Sequence, residues 1–327
     1  MSNTYLIKSQ YLSTERIEKY FTPKGWVKFD GRKHENPTLI YLDGMSIYDK
    51  SVYKYHTFVK NQIGDDKNFL SDKDNLPNII QKKYQMPTYF INLKKFHVGV
   101  YRKLFIKNKV WILKPVRGRE GIGIKIVNTF EELKNYLSKD VKKINLNIRR
   151  KNEWVLQEYI LNPMLFQERK FHLRVYFMVF QENIYLFPHY LIITAKNKYK
   201  KEDFDNKDIH DSHYSEGSVR NKIFPEDTSF SKKEVDIVQQ NMLQLFKFMK
   251  SKMIKMRCYE GDQNCYEIFA ADMMLTDSLK LKILEINARI GWPATMDKKY
   301  NLFEDQLNIV LGKLFSFNFK ENDFIPI

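Results

Sequence analysis

The chain has 327 residues, 43% of them hydrophobic and 29% charged. That balance excludes a disordered or fibrous chain and leaves one large domain or two to three lobes. No run approaches the roughly 18 apolar residues of a membrane span, and the N-terminus, MSNTYLIKSQYLS, has no apolar core of a signal peptide. Lys and Arg number 55 against 39 Asp and Glu, a formal net charge of +16, which favours acidic partners or reflects lysines solvated around the surface.

The first 85 residues or so mix short apolar runs with charges. Residues 37–43, PTLIYLD, read as a buried strand entered through a proline, 65–68 as a loop, and 74–84 as a helix. From Val110 the pattern sharpens. Val110 to Lys114 is a short strand, followed by Pro115, the run VRGREG and a second strand from Ile122 to Val127. Glycines between strands let backbone N–H groups approach phosphate oxygens, with Lys114 as a point charge beside them. An ordinary hairpin turn is the alternative, and neither the P-loop nor the dinucleotide-binding spacing is present. Phe130 to Leu137 reads as a short amphipathic helix capped by Thr129. A basic loop from 139 to 151 precedes a strand from Trp154 to Ile160.

The longest strand begins at Lys170 and runs to Phe180. With a period of two, Lys170, His172 and Arg174 share one face. Three potentially cationic groups in a row call for an anion between them, a phosphate or a carboxylate. A second strand, Ile184 to Thr194, returns antiparallel. Residues 195–220 are polar and expected to move; His210, Asp211 and His213 lie there, with metal binding the weaker reading. Residues 231–256 form the one long helix, and 302–317 a closing amphipathic helix.

Between the two helices, residues 266–289 read YEIFAADMMLTDSLKLKILEINAR. Two β-prone runs flank Asp277 to Lys280, as in a β-hairpin. With those four residues as the loop, Asp272 faces Glu285, and Asn287 lies on the same side. Facing carboxylates repel unless a cation sits between them, and Mg²⁺ takes such oxygen ligands. A register off by one would put one acid in solvent instead. The only two cysteines, Cys258 and Cys265, lack the CxxC spacing of zinc and redox sites. They read as reduced and structural, in a reducing, cytoplasmic compartment.

Four segments together resemble the tubulin–tyrosine ligase-like family of ATP-grasp ligases: SDKDNLPNIIQKKYQMPTYFI (71–91), VWILKPVRGREGIGI (110–124), WVLQEYILNPMLFQERKFHLRVY (154–176) and FAADMMLTDSLKLKILEINA (269–288). The resemblance implies an α/β (α+β) ATP-grasp fold, largely antiparallel, with an N-terminal lobe (1–88), a central lobe with the glycine loop (89–160) and a C-terminal lobe with the metal site (161–327). It implies ATP and Mg²⁺ as cofactors. Lys73, Lys114, Gln157, Lys170 and Arg174 match nucleotide- and phosphate-contacting positions, Gly121 and Gly123 the glycine loop, and Ile160 an apolar adenine contact. Glu158 stands where the family often has a lysine. Asp272, Glu285 and Asn287 match the Mg²⁺ ligands, and Lys170, Arg174 and Glu285 are the candidate catalytic groups.

Two departures stand out. His172 replaces an aspartate, and Ile193 replaces the arginine that holds the incoming amino acid's carboxylate. The expected activity is ATP-dependent amide-bond formation on an acidic polypeptide, such as a tubulin tail. A different amine or acceptor, a nucleotide-binding protein that has lost ligation, and a basic nucleic-acid binder are the alternatives. No nucleic-acid motif supports the last.

Overall fold

The computed structural model describes residues 3–10, 12–43, 51, 58–61, 63–95, 97–105, 109–118, 121–141, 144, 150–180, 182–210, 222–254, 256–258, 264–288, 290, 293–315 and 323–327. Among the described residues, fifteen strands form two sheets. The first four are β1 (Thr4–Lys8), β2 (Val27–Lys28), β3 (Leu39–Leu42) and β4 (Phe58–Asn61). Then come β5 (Thr88–Asn92), β6 (Trp111–Pro115), β7 (Lys125–Val127), β8 (Glu153–Glu158) and β9 (Leu165–Phe166). The rest are β10 (Arg169–Phe180), β11 (Asn183–Thr194), β12 (Lys222–Ile223), β13 (Asn264–Leu275), β14 (Leu281–Asn287) and β15 (Ile325–Pro326). The helices are α1 (Thr14–Phe21), α2 (Asn68–Ser71), α3 (Leu76–Ile79), α4 (Phe130–Asn135), α5 (Lys207–His210), α6 (Lys232–Lys252), α7 (Ala294–Tyr300) and α8 (Leu302–Phe315).

The larger sheet runs β12-β11-β10-β13-β4-β3-β1-β2, with β14 also on β13; the smaller, β5-β8-β6-β7, is antiparallel throughout. The strands before residue 62 join the same sheet as the C-terminal half, through a parallel β4–β13 pair. Strand β10 feeds two cores. Its odd positions, Leu173, Val175, Phe177 and Val179, pack with Val238, Met242, Leu245, Phe246 and Met249 of α6. Those five helical positions recur at 3.6-residue spacing, and burying them contributes on the order of 10 kcal/mol before entropy is charged. Ser231 starts α6 with a capping box: its hydroxyl accepts from Glu234 N, and Glu234 accepts from Ser231 N at 2.7 Å. Even positions Tyr176, Met178 and Phe180 pack in a second core with residues of α1, α7 and α8. Toward the N-terminal end of β10 this face changes from apolar to Lys170, His172 and Arg174, and the core gives way to a site.

Several expectations shift. The helix expected over 74–84 is α3, an extended Ile80 and a 3₁₀ turn over Lys82–Tyr84. Pro77 allows one helical turn to start, and the Gln85 amide then donates to the Pro77 and Ile80 carbonyls, holding the chain in its bend. Residues 65–68 are a 3₁₀ turn leading into α2 rather than a loop. α6 ends at Lys252, short of 256.

Cys258 and Cys265 are joined by a disulfide, with Cα atoms 5.7 Å apart. That overturns the reading of two reduced thiols, and with it the argument for a reducing compartment. Spacing along the chain excluded a CxxC site but carried no information on the fold bringing the pair together. The bond clips β13 to the segment whose Arg257 side chain grips Asp66 through Nε (2.8 Å) and Nη2 (2.9 Å). Reducing so short a loop is expected to cost about 2 kcal/mol. Thermal unfolding with and without reductant checks the loss, and intact mass before and after alkylation checks the bond; two freely alkylated cysteines in unreduced protein would refute it.

Candidate active site

Three side chains project from the N-terminal end of β10. Arg174 clasps Asp272 of β13 with Nε and Nη2, each at 2.9 Å. Burial works against the Arg174 charge, but the Asp272 carboxylate outweighs it and holds the guanidinium above its ordinary pKa. His172 Nε2 lies 3.5 Å from Asp272 Oδ1. Lys170 Nζ donates to the Tyr159 hydroxyl at 2.7 Å and lies 4.4 Å from that ring's centre.

The β13–β14 hairpin brings the acids together, by a route other than the expected one. Its turn closes between Thr276 and Lys280, with Leu279 in the left-handed region (φ 58°). This puts Met273 opposite Ile283, one residue short of the expected register. A bulge at Leu284 restores that residue, so Asp272 does face Glu285, and Ala270 faces Asn287. The Asn287 amide nitrogen lies 2.9 Å from Asp272 Oδ2 and 3.3 Å from Glu285 Oε1. Turned over, that amide would offer an oxygen between two carboxylates, the hard-oxygen set a Mg²⁺ ion takes. In the protein alone, Arg174 on Asp272 and Lys73 on Glu285 (3.1 Å) balance the charge. The residues therefore fit a divalent cation.

Beside the hairpin lies a cavity of about 250 Å³ between the two sheets. Ile112, Ile124, Ile160, Met274 and Leu284 line one part of it; Lys114, Lys170, Asp272 and Glu285 also reach it. Lys114 is buried, and its Nζ donates to Gln157 Oε1 at 3.0 Å, while the Gln157 amide donates to Thr88 Oγ1 at 3.2 Å. Glu158 pairs with Lys109. The glycine loop turns through Gly121 (φ 69°) and Gly123 (φ 81°), where any other residue would be strained. A Cβ on Gly123 would also sit 3.1 Å from the Trp154 ring. Apolar walls, two buried lysines and a glycine-bearing loop fit a nucleotide whose base takes the apolar part and whose phosphates meet the cations.

Of the residues singled out from sequence, Lys114, Gly121, Gln157, Glu158, Ile160, Lys170, Asp272 and Glu285 line this one cavity. Lys73, Arg174 and Asn287 join it through Glu285 and Asp272. Gly123 supports the loop from behind, on Trp154. Ile193 lies opposite His172 in the ladder and is fully buried in the second core.

Sequence reasoning missed Tyr159, and it considered His210 only as a metal ligand. Lys170 donates to the Tyr159 hydroxyl, whose oxygen lies 2.8 Å from His210 Nδ1. Passing that hydroxyl proton to Nδ1 requires a neutral imidazole. Burial, then the Lys170 charge, push the His210 pKa from 6.5 down to about 4, against a smaller opposite pull from Asp203. A histidine neutral in the fold contributes stability above its unfolded pKa and loses it as pH falls from 6.5 toward 4. The difference in urea midpoint between wild type and His210→Gln is therefore expected to narrow between pH 7.5 and pH 5. A gap independent of pH would separate His210 from this chain of hydrogen bonds. Asp211 and His213, the other members of the imagined metal triad, lie outside the described residues.

A model of the tubulin-tyrosine ligase family matches residues 47–314. A probable tubulin–tyrosine ligase of Schizosaccharomyces pombe is 24% identical over 235 residues, 63% of this chain and 58% of the relative. A probable tubulin polyglutamylase, ttll-9 of Caenorhabditis elegans, is 22% identical over 263 residues, 72% of this chain and again 58% of the relative. The chain thus aligns with little more than half the length of these curated relatives. Among solved structures, the C-terminal domain of K. lactis Pby1, described as an ATP-grasp enzyme interacting with the mRNA decapping enzyme Dcp2, superposes with a TM-score of 0.64. That match covers 99% of this chain and 98% of the other at 17% identity, and it shows a shared α+β ATP-grasp fold.

Proposed function

The chain belongs to the tubulin-tyrosine ligase family, and from that premise we propose that it is an ATP- and Mg²⁺-dependent ligase joining an amine to a carboxylate of an acidic polypeptide. The observation that carries the reading is the convergence of Asp272, Glu285 and Asn287 at the edge of a cavity that also holds Lys114 and Lys170. Bound there, Mg²⁺ would supply charge neutralisation for phosphoryl transfer to a carboxylate. Asp272, Glu285 and Asn287 would hold the ion. Lys114 and Lys170 would position the phosphates and offset their charge, mainly an electrostatic task. Arg174 would keep Asp272 ionised and oriented. Glu158 and Ile160 would border the base. The surplus of 55 basic over 39 acidic residues suits an acidic acceptor, and the relatives' names point to tubulin as its class.

Incubation with Mg-ATP, a glutamate-rich acceptor and labelled amines in turn tests this, with ADP release and label transfer both followed. Free tyrosine, glutamate and glycine are expected to be poor amine substrates. An amino acid brings a carboxylate that needs a cation in a water-poor site, and Ile193 is closed in the apolar core. Of the candidate replacement cations, Lys196 is paired with Asp208 and Lys198 with Glu168; Arg220 and Arg289 lie outside the described residues. Efficient transfer of any of the three amino acids would refute this expectation. The same buried Ile193 favours the second reading, a nucleotide-binding protein without ligation; ATP binding with no ADP release on any amine would select it.

A further inference from the structure

Residues 75–118 hold ten Lys or Arg and no Asp or Glu. They include β5 and β6, joined through 3₁₀ turns over Leu93–Lys95 and Val98–Phe105. β5 is the outer strand of the small sheet, so among the described residues one of its edges pairs with no strand. The Tyr101 hydroxyl donates to the Phe90 carbonyl at 2.9 Å, which sets the second turn beside β5. Leu104 and Phe105 of that turn pack with Ile91 and Trp111 in the core of the small sheet. Lys94, Lys95, Val100, Arg102 and Lys103 are left exposed.

Two properties set this edge apart. Tyr89 and Phe90, 39% and 45% exposed, are the only exposed aromatic residues among those described. Successive strand residues point to opposite faces, so the two rings flank the open edge. Tyr89 is braced edge-on against Trp111, with ring centres 5.6 Å apart. The second property is unbalanced charge. Lys94, Lys95, Arg102 and Lys103 pair with no acid among the described residues. Arg102 lies over the Phe130 ring, 4.7 Å from its centre. Three acids of this lobe are engaged elsewhere: Glu158 by Lys109, Glu153 by Arg150 and Glu131 by Lys134.

We propose that this edge binds single-stranded RNA, with bases stacked on Phe90 and Tyr89 and phosphates set against Lys94, Lys95, Arg102 and Lys103. An exposed ring accepts any unpaired base, and cations beside it meet the charge of the backbone. An acidic polypeptide would use the cations but leave the rings in water. A second copy of this chain would set cation against cation. Unpaired bases are the ordinary state of RNA loops and ends, whereas duplex DNA offers only base edges in its grooves. None of these six residues lines the candidate active-site cavity. The surface is therefore separate from that site and independent of the ligase reading.

The test uses the full chain and a fluorescein-labelled oligouridylate of about twelve nucleotides, with binding read by anisotropy. Four phosphate contacts should give a slope of log affinity against log salt of about −3. Phe90→Leu keeps an apolar side chain on the strand but removes the flat ring, and is expected to weaken binding about tenfold, the loss of one stacked base. Phe90→Tyr should restore it. The double change Lys94→Gln with Lys95→Gln should make the salt slope shallower by about 1.4. Mg-ATP affinity, read by calorimetry, should stay within about twofold in every variant, and circular dichroism checks that each is folded. Unchanged RNA affinity in Phe90→Leu would overturn the proposal, as would failure of wild type to bind the RNA. Duplex DNA bound as tightly as the single strand, or an equal loss from Lys247→Gln on α6, would mean diffuse attraction and overturn it too. Displacement of the RNA by Mg-ATP would place it in the nucleotide cavity instead. Hexaglutamate bound as tightly as RNA, and unaffected by Phe90→Leu, would assign the edge to an acidic polypeptide.

Discussion

Glu285→Gln is expected to leave the fold intact and to lower ATP turnover by about a thousandfold, the few kcal/mol that a correctly charged metal site contributes to phosphoryl transfer. The two side chains have nearly the same shape, so the β13–β14 pairing and its bulge should persist. What changes is charge. Glu285 faces Asp272 across the ladder and balances Lys73 at 3.1 Å. A glutamine there still accepts a hydrogen bond from Lys73 but leaves one carboxylate, not two, for a divalent cation. Two readouts decide the matter: ADP release under saturating Mg-ATP, and Mg²⁺ dependence of nucleotide binding. Wild-type ADP release would reduce Glu285 to a structural acid of the hairpin.

Lys114→Ala should act on binding rather than on chemistry alone. The lysine is 6% exposed, so its ammonium has little water to rely on and takes Gln157 Oε1 at 3.0 Å as a partner. A nucleotide phosphate would supply the opposite charge. Removing a buried, charge-assisted contact costs about 1.5–3 kcal/mol, so ATP affinity should fall about ten- to a hundredfold. Gln157 still donates to Thr88 after the substitution, which should keep β8 in place. Calorimetry with and without Mg²⁺ measures the loss; equal affinity in wild type and variant would remove Lys114 from the nucleotide site.

The two variants probe parts of the site that differed in how legible they were. The cationic face of Lys170, His172 and Arg174 follows from strand periodicity alone, because a side-chain period of two admits no other grouping. The facing of Asp272 and Glu285 was also readable, yet the reasoning held through compensation. The turn is one residue off the expected loop, and the bulge at Leu284 takes up the difference. A bulge leaves no mark in composition, since Leu284 is as apolar as Ile283 before it and either could have faced Met273. Similarly, β10 and β11 shift register between Val175 and Phe177, beside Pro188, which has no N–H to give the ladder. The shift lies outside the site and leaves the pairing of His172 with Ile193 in place.

The division of labour follows from the range of the forces involved. Periodicity, caps and turn residues act over a few positions, so the sequence by itself determined the strands of the site, the capping of α4, the cationic stripe and the two acids of the hairpin. Together with family resemblance, it also pointed to the ATP-grasp fold. Contacts between residues distant along the chain are decided by packing, and only the tertiary structure showed those. It closed the Cys258–Cys265 bond, brought Lys73 onto Glu285, linked His210 to Tyr159 and sealed Ile193 inside an apolar core. It also gathered β6, β7, β8, β10, β13 and β14 around one cavity. No local pattern encodes that arrangement, because each wall is assembled from segments tens to hundreds of residues apart.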